Sequence, residues 1–375
     1  MIWLTWRQFR AQAITAAAAL AAFAILLATT ASDLSSLYNS SGLLTCHGAA
    51  CTGLASQFLD QLASAGESFL LIPGSAYMIL YFLGVLVILI TPAIIGCFWG
   101  APLIARELEA GTVRLIWNQS ITRNRWLMVK LVLIGTAAMA VTEAFSLIQA
   151  WWAAPIGKAV GLGGASSIFS ETRFGWFVFP THGITPLGYA AFGFVLGVTA
   201  GLVTRRAIPA MAITLAIFAA VQFITPLWVR PHLFPTSQTT ATVAASGANV
   251  SLRASPALTL TASFVPGHPG AWIISSEGVS AAGQRVSTIP AACEREVSDQ
   301  LGTHTEVGSH SGTPVTSVGS NALNNCVARQ GIRVAESYQP ASHYWPLQWS
   351  ETGMYLALAL ALAGYCFWRL NRRRS

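Results

Sequence analysis

Six separate runs of this chain are each long and apolar enough to fill a bilayer: Ala11–Ala31, Tyr77–Trp99, Trp126–Trp152, Pro186–Val203, Ala207–Trp228 and Gly353–Phe367. Crossing hydrocarbon as a helix takes about 20 residues. Inside lipid the backbone must satisfy its own hydrogen bonds, which only helices and closed barrels achieve. The alternating ten-residue pattern of a membrane barrel is absent, so the runs predict an all-α polytopic membrane protein with six transmembrane helices. Charged residues form 9% of the chain and hydrophobic ones 54%, whereas a soluble domain carries about 25% charge. The first run exceeds a usual signal core and lacks a small-x-small cleavage site, so it reads as a retained anchor.

Thirteen of the 21 basic residues gather at one side if both termini are cytoplasmic: Arg7, Arg10, Arg106, Arg114, Arg123, Arg125, Lys130, Arg205, Arg206, Arg369, Arg372, Arg373 and Arg374. The loop Ser32–Ser75 holds none and reads as external. This bias predicts a multi-pass protein of the cell (plasma) membrane with N- and C-termini cytoplasmic. The net charge of +7 then reports topology and contact with membrane lipids, not nucleic-acid binding. Met1–Arg10, with Trp3, Trp6 and Phe9 among its arginines, suits a segment lying at the inner interface.

Cys46, Cys51, Cys293 and Cys326 fall in the predicted external segments, and Cys97 and Cys366 inside spans. Four external cysteines predict two disulfides, with local pairing the most economical of the three connectivities. A metal on Cys46, His47 and Cys51 lacks further nearby ligands. From 229 to 349 the composition turns to Ser, Thr, Gly, Ala and Val, with alternating stretches at Thr240–Val250, Ala257–Phe264 and Trp272–Ser276. These predict a small β-rich, disulfide-containing extracellular domain. The domain plan is therefore 1–228 for five helices, 229–349 for the β-rich insertion, and 350–375 for the sixth helix and a basic tail.

The fourth span carries Gly193, Gly197 and Gly201 at four-residue spacing, a smooth ridge for close helix packing within one subunit or at a dimer seam. Glu143 is an ionisable group inside a span, an intramembrane polar site that serves a cavity, a substrate cation, or a hydrogen bond to Gln149 or Gln222. No nucleotide-binding loop is present, because Gly157-Lys158 lacks the upstream glycine and the hydroxyl residue. Gly308-Ser309-His310-Ser311-Gly312 carries histidine where a nucleophile elbow needs serine. His304, Glu306 and His310 read as a solvated surface. The chain is not expected to be an enzyme.

Between the second and third spans lies a polar island, running from Arg106 through Arg114 and from Gln119 to Lys130. Leu103, Ile104 and Leu108, set among Arg106, Glu107 and Glu109, suit a short amphipathic helix at the inner interface with Gly111 as its stop. Plain topology loops seldom alternate apolar and carboxylate groups in this way, so the island reads as a partner-docking element. Its arginines and lysine at 123, 125 and 130 are read as holding the third span at the anionic leaflet.

The pattern Glu107-x-Glu109-Ala110-Gly111-Thr112, then Leu115, Gln119-Ser120-x-Thr122-Arg123, Trp126 and Lys130, resembles the signature of type 2 ABC exporter permeases, most of all actinobacterial ones. The likeness continues through Trp151-Trp152, residues 188–192, residues 226–231 and residues 338–342. It implies a dimer, homodimeric or heterodimeric, docked on separate ABC ATPase subunits that carry ATP and Mg; no cofactor is expected on this chain. It also implies coupling through Arg106, Glu107, Leu108, Glu109, Gly111, Thr112 and Arg114. Two other classes remain: an ABC-linked sensor or resistance component whose extracellular domain binds a ligand, and a membrane scaffold without an ATPase.

Overall fold

A computed structural model describes residues 2–48, 50–64, 75–109, 122–164, 169, 172–243, 249–252, 258–261, 265–268, 270–288, 290, 292–293 and 321–372. The chain divides into two compact units, Met1–Leu233 with Tyr344–Ser375, and Phe234–His343. Six helices of the first unit are long and apolar enough to cross a membrane.

Helix α1 (Ile2–Ser40) is continuous. The expected surface segment at its start and external loop at its end are both helical, because Leu27, Leu34 and Tyr38 recur at helical spacing and are buried. They meet Phe58, Leu59 and Leu62 of α2 (Ala50–Ser64). The Cys46–Cys51 disulfide closes the connection between these two helices. Ser75 caps α3 (Ala76–Ile95) by accepting from the Met78 amide at 3.1 Å. After Pro92, a π-helical turn at Gly96–Gly100 leads without a break into α4 (Ala101–Glu109). The expected separate interfacial helix is thus the end of a 34-residue rod, Ala76–Glu109.

Helix α5 (Arg123–Trp152) and short α6 (Ala154–Gly161) pack on α1 and α2, and the Trp152 indole donates to Thr30 Oγ1 at 3.0 Å. Helix α7 (Thr185–Thr204) is buried around most of its circumference. A Cβ on Gly193, Gly197 or Gly201 would strike the carbonyls of Pro92, Gly96 or Ala101 respectively, and one on Gly96 or Gly100 would strike those of Gly193 or Phe194. Backbone therefore lies on backbone along the whole row, and the ridge is filled by α3–α4 of the same chain. Gly188 admits α10 (Tyr344–Arg372) in the same way, with Thr352 and Tyr355 against it.

Helix α8 (Ala207–Ile224) continues through a π turn at Thr225–Val229 and a 3-10 turn at Arg230–His232. Helix α10 begins nine residues before the apolar run of the last span. Tyr344, Leu347, Gln348, Glu351, Thr352 and Tyr355 are its buried residues there, a one-sided helical stripe that hydropathy averaging conceals.

In the second unit, β1 (Ser237–Thr242), β5 (Arg333–Gln339) and β4 (Trp272–Val279) form an antiparallel sheet in the order β1-β5-β4. Strands β2 (Asn249–Leu252) and β3 (Leu258–Thr261) form a separate hairpin. Helix α9 (Asn321–Arg329) holds Cys326, which is bonded to Cys293. The sequence reading anticipated neither α9 nor β5, and β5 is the central strand. Glu336 pairs across with Thr239 and Ser276 and is buried, with neither carboxylate oxygen hydrogen-bonded. Burial pushes its carboxyl from the ordinary 4.5 up to about 7.

Two outcomes follow. Gly197→Val forces a branched side chain into the Gly96 backbone and should cost at least about 1–3 kcal/mol, read as a lower Tm in detergent. Gly353→Val, with nothing within 4 Å of its Cβ, should change little. At Glu336 the folded state holds a proton that the unfolded chain releases near 4.5, so stability declines as pH rises between about 4.5 and about 7 and levels off above. Hydrogen exchange of β5 amides, corrected for intrinsic rate, should show weaker protection at pH 8 than at pH 5. Glu336→Gln should remove that difference.

Candidate coupling site

Helix α4 places four of the predicted coupling residues in different surroundings. Arg106 is exposed, while Glu107 reaches across to Lys130 of α5 at 2.5 Å. Lys130 is 3% exposed and its ammonium lies 4.6 Å from the Trp126 ring centre. It is a buried tie between α4 and α5, not the leaflet anchor expected from its position. Arg125 is exposed, and the Arg123 side chain lies outside the described residues. Glu109 Oε1 accepts from the Ala207 amide at 2.9 Å. That amide opens α8, whose flanking Arg206 provides no side-chain cap, so a carboxylate from another helix fills the role and meets the positive end of the helix dipole. Leu108 is partly buried against the cluster that includes Trp99, Trp126 and Phe194, so it packs inward. Gly111, Thr112 and Arg114 lie outside the described residues.

Pro102 has no N–H to offer the Phe98 carbonyl one turn earlier. Gln12 of α1 donates to it instead, at 3.1 Å. Three helices, α1, α5 and α8, are therefore fastened by polar side chains to the stretch of the α3–α4 rod from Phe98 to Glu109. The three fastenings are Gln12 to Phe98, Lys130 to Glu107, and the Ala207 amide to Glu109.

The opposite end of the bundle carries a polar cluster that the sequence reading missed. The guanidinium of Arg230 donates from Nε to Glu351 Oε2 at 2.9 Å and from Nη2 to Oε1 at 3.2 Å, with both side chains fully buried. The Tyr189 hydroxyl donates to Glu351 Oε1 at 2.8 Å, and Arg230 lies 4.1 Å from the Phe179 ring centre. Tyr355 and Thr225 hydroxyls bond beside it. Gln348 accepts from the Ile184 and Thr185 amides at 3.1 and 3.0 Å, capping α7 from α10, and donates to the His182 carbonyl at 3.1 Å. Glu143 is thus not alone as an ionisable group within the spans. The signal was present in sequence: an arginine two residues after the fifth apolar run and a glutamate two residues before the sixth, at the same end of adjacent helices.

Glu143 is half-buried, and its Oε2 lacks a hydrogen-bond partner among the described residues. Gln149 donates to the Tyr81 carbonyl and Gln222 to the Leu89 carbonyl, so neither glutamine reaches it.

Removing one partner of the Arg230–Glu351 pair leaves a buried charge unmatched, which costs about 3–5 kcal/mol. Glu351→Gln and Arg230→Met should each lower Tm sharply, and the double variant Arg230→Met/Glu351→Leu should recover most of the loss. A double variant as damaged as the singles would show that charge pairing is not what the site contributes.

No curated protein and no solved structure matches the chain. The family described as ABC-2 membrane transporter related matches residues 17–230, which runs from within α1 through α8 and takes in the island between α4 and α5 and Arg230. With six membrane-length helices, this is a multi-pass membrane protein, and the matched family is one of membrane subunits rather than ATPases. The chain belongs to the ABC-2 membrane transporter related family.

Proposed function

We propose that this chain is the permease subunit of an ATP-driven exporter, working as a dimer that forms the path between its copies. Separate ABC ATPase subunits, which the family implies as partners, would carry ATP and Mg and dock on the island between α4 and α5. Both termini are then cytoplasmic and the Phe234–His343 unit is extracellular. The observation that carries the reading is the double fastening of α4: Glu107 to α5 and Glu109 to α8, at 2.5 and 2.9 Å. A push on the segment after Glu109 reaches three membrane helices at once through short polar links, which is what rigid-body switching between two packings requires. In this reading Glu107 and Glu109 transmit the push inside the chain, and Arg114, Gly111 and Thr112 on the island meet the ATPase.

A groove of about 350 Å3 between α3 and α8 supports an apolar or amphipathic cargo, since its walls include Ile90, Trp176, Phe177, Phe218 and Phe223. Gln222 is its one polar side chain.

Charge reversal at Glu107 or Glu109 would break the bundle as well as any docking, so the informative variant is Arg114→Glu. Affinity purification of the tagged wild type in mild detergent should bring down a soluble ATPase, and the variant should lose it while keeping its Tm. Recovery of no ATPase with the wild type would reject the exporter reading in favour of a scaffold. An ATPase retained by the variant would move the docking surface away from the island.

A further inference from the structure

Around the π turn, α1, α4 and α5 do not close on one another. They leave a half-open cavity of about 280 Å3 with Phe9, Gln12, Trp99, Arg106, Glu107 and Ile134 on its walls. Its depth is apolar: Phe9 and Trp99 meet edge to face at 4.8 Å, and both are buried, as is Ile134. Its polar groups are unequally committed. Glu107 is matched by Lys130, and the Gln12 amide is spent on the Phe98 carbonyl. Arg106 is exposed and makes no ion pair among the described residues. With Glu107 matched by Lys130 from behind the wall, the cavity combines an apolar interior with a guanidinium that makes no ion pair among the described residues.

The first two turns of α1 place the cavity at headgroup depth. Trp3, Trp6, Arg7 and Arg10 are all exposed there, the mixture that settles at a membrane–water interface. A soluble anion would meet a single arginine and gain nothing from an apolar interior. An amphiphile of the adjoining leaflet uses both parts of the cavity.

We propose that the cavity binds one anionic phospholipid, its phosphate on the Arg106 guanidinium and the first part of an acyl chain against Phe9, Trp99 and Ile134. The site depends on the chain's residence in a membrane and not on the exporter reading. It joins α1 to α4 beside the Glu107–Lys130 tie, so its occupancy bears on how firmly the end of the α3–α4 rod is held.

Native mass spectrometry of the purified full-length protein tests this, with phosphatidylglycerol and phosphatidylcholine of identical chains as probes. One phosphatidylglycerol per chain should remain bound at collision energies that strip phosphatidylcholine. Arg106→Ala should weaken that retention roughly five- to tenfold, to the phosphatidylcholine level. Ile134→Trp, which fills the cavity and leaves Arg106 in place, should abolish it. Equal retention of the two lipids, or undiminished phosphatidylglycerol on either variant, would overturn the proposal. So would displacement of the lipid by excess inorganic phosphate, which would assign the site to a soluble anion.

Discussion

Glycines 193, 197 and 201 clear one line of α7, and the backbone of the α3–α4 rod moves into the space until carbonyl oxygens stand where side chains would otherwise be. Lipid tails are as apolar as leucine, so helices in a membrane gain little from burying grease; close van der Waals approach is what holds them. The other packings are built around that contact. Because the rod lies flush on α7, its π turn is fixed against Gly193 and Phe194, its last turn points at α5 and α8, and α10 closes the other side of α7 over Gly188. A π turn inside a long helix offsets everything beyond it by about one residue, or about 100°. Here it decides which way Glu107 and Glu109 face.

Six spans, the cysteine pairs and the glycine row were legible because each rests on a local pattern: a run of about 20 apolar residues, a composition change, a four-residue repeat. What was not legible was where polar residues turn inward. Lys130 at the start of an apolar run looks like a leaflet anchor; only the placement of Glu107 across from it, 23 residues earlier, makes it a buried tie. Glu109 stays exposed, yet it also caps the amide of Ala207, 98 residues later. Hydropathy averaging cut α10 short because Gln348 and Glu351 lower the mean, although both sit on its buried stripe. Strand β5 was hidden for a similar reason, since a buried glutamate breaks the alternation that marks a strand.

The two ends of the bundle solve one problem by different means. Each must present polar atoms in surroundings that penalise them. At the α4 end the links are single and lie between neighbours along the rod, so one segment touches three helices. At the Arg230 end the links are concentrated: a forked ion pair, a tyrosine hydroxyl, the Phe179 ring and a glutamine that caps α7 meet where the turns before α7 and after α8 lie against α10. Several bonds sharing one carboxylate resist separation more than an isolated link, which makes that end the firmer body.

The separation of 121 residues between Arg230 and Glu351 also has a meaning in time. A ribosome delivers the arginine at the end of α8 long before the glutamate exists, with the whole Phe234–His343 unit still to be made. Until the last helix arrives, the fifth crossing ends in a cation with no counter-charge, and α7 lacks both Gln348 over its first turn and Tyr355 against Gly188. The last-made helix is thus the one that completes the bundle, and a nascent chain lacking it carries its own marker of incompleteness.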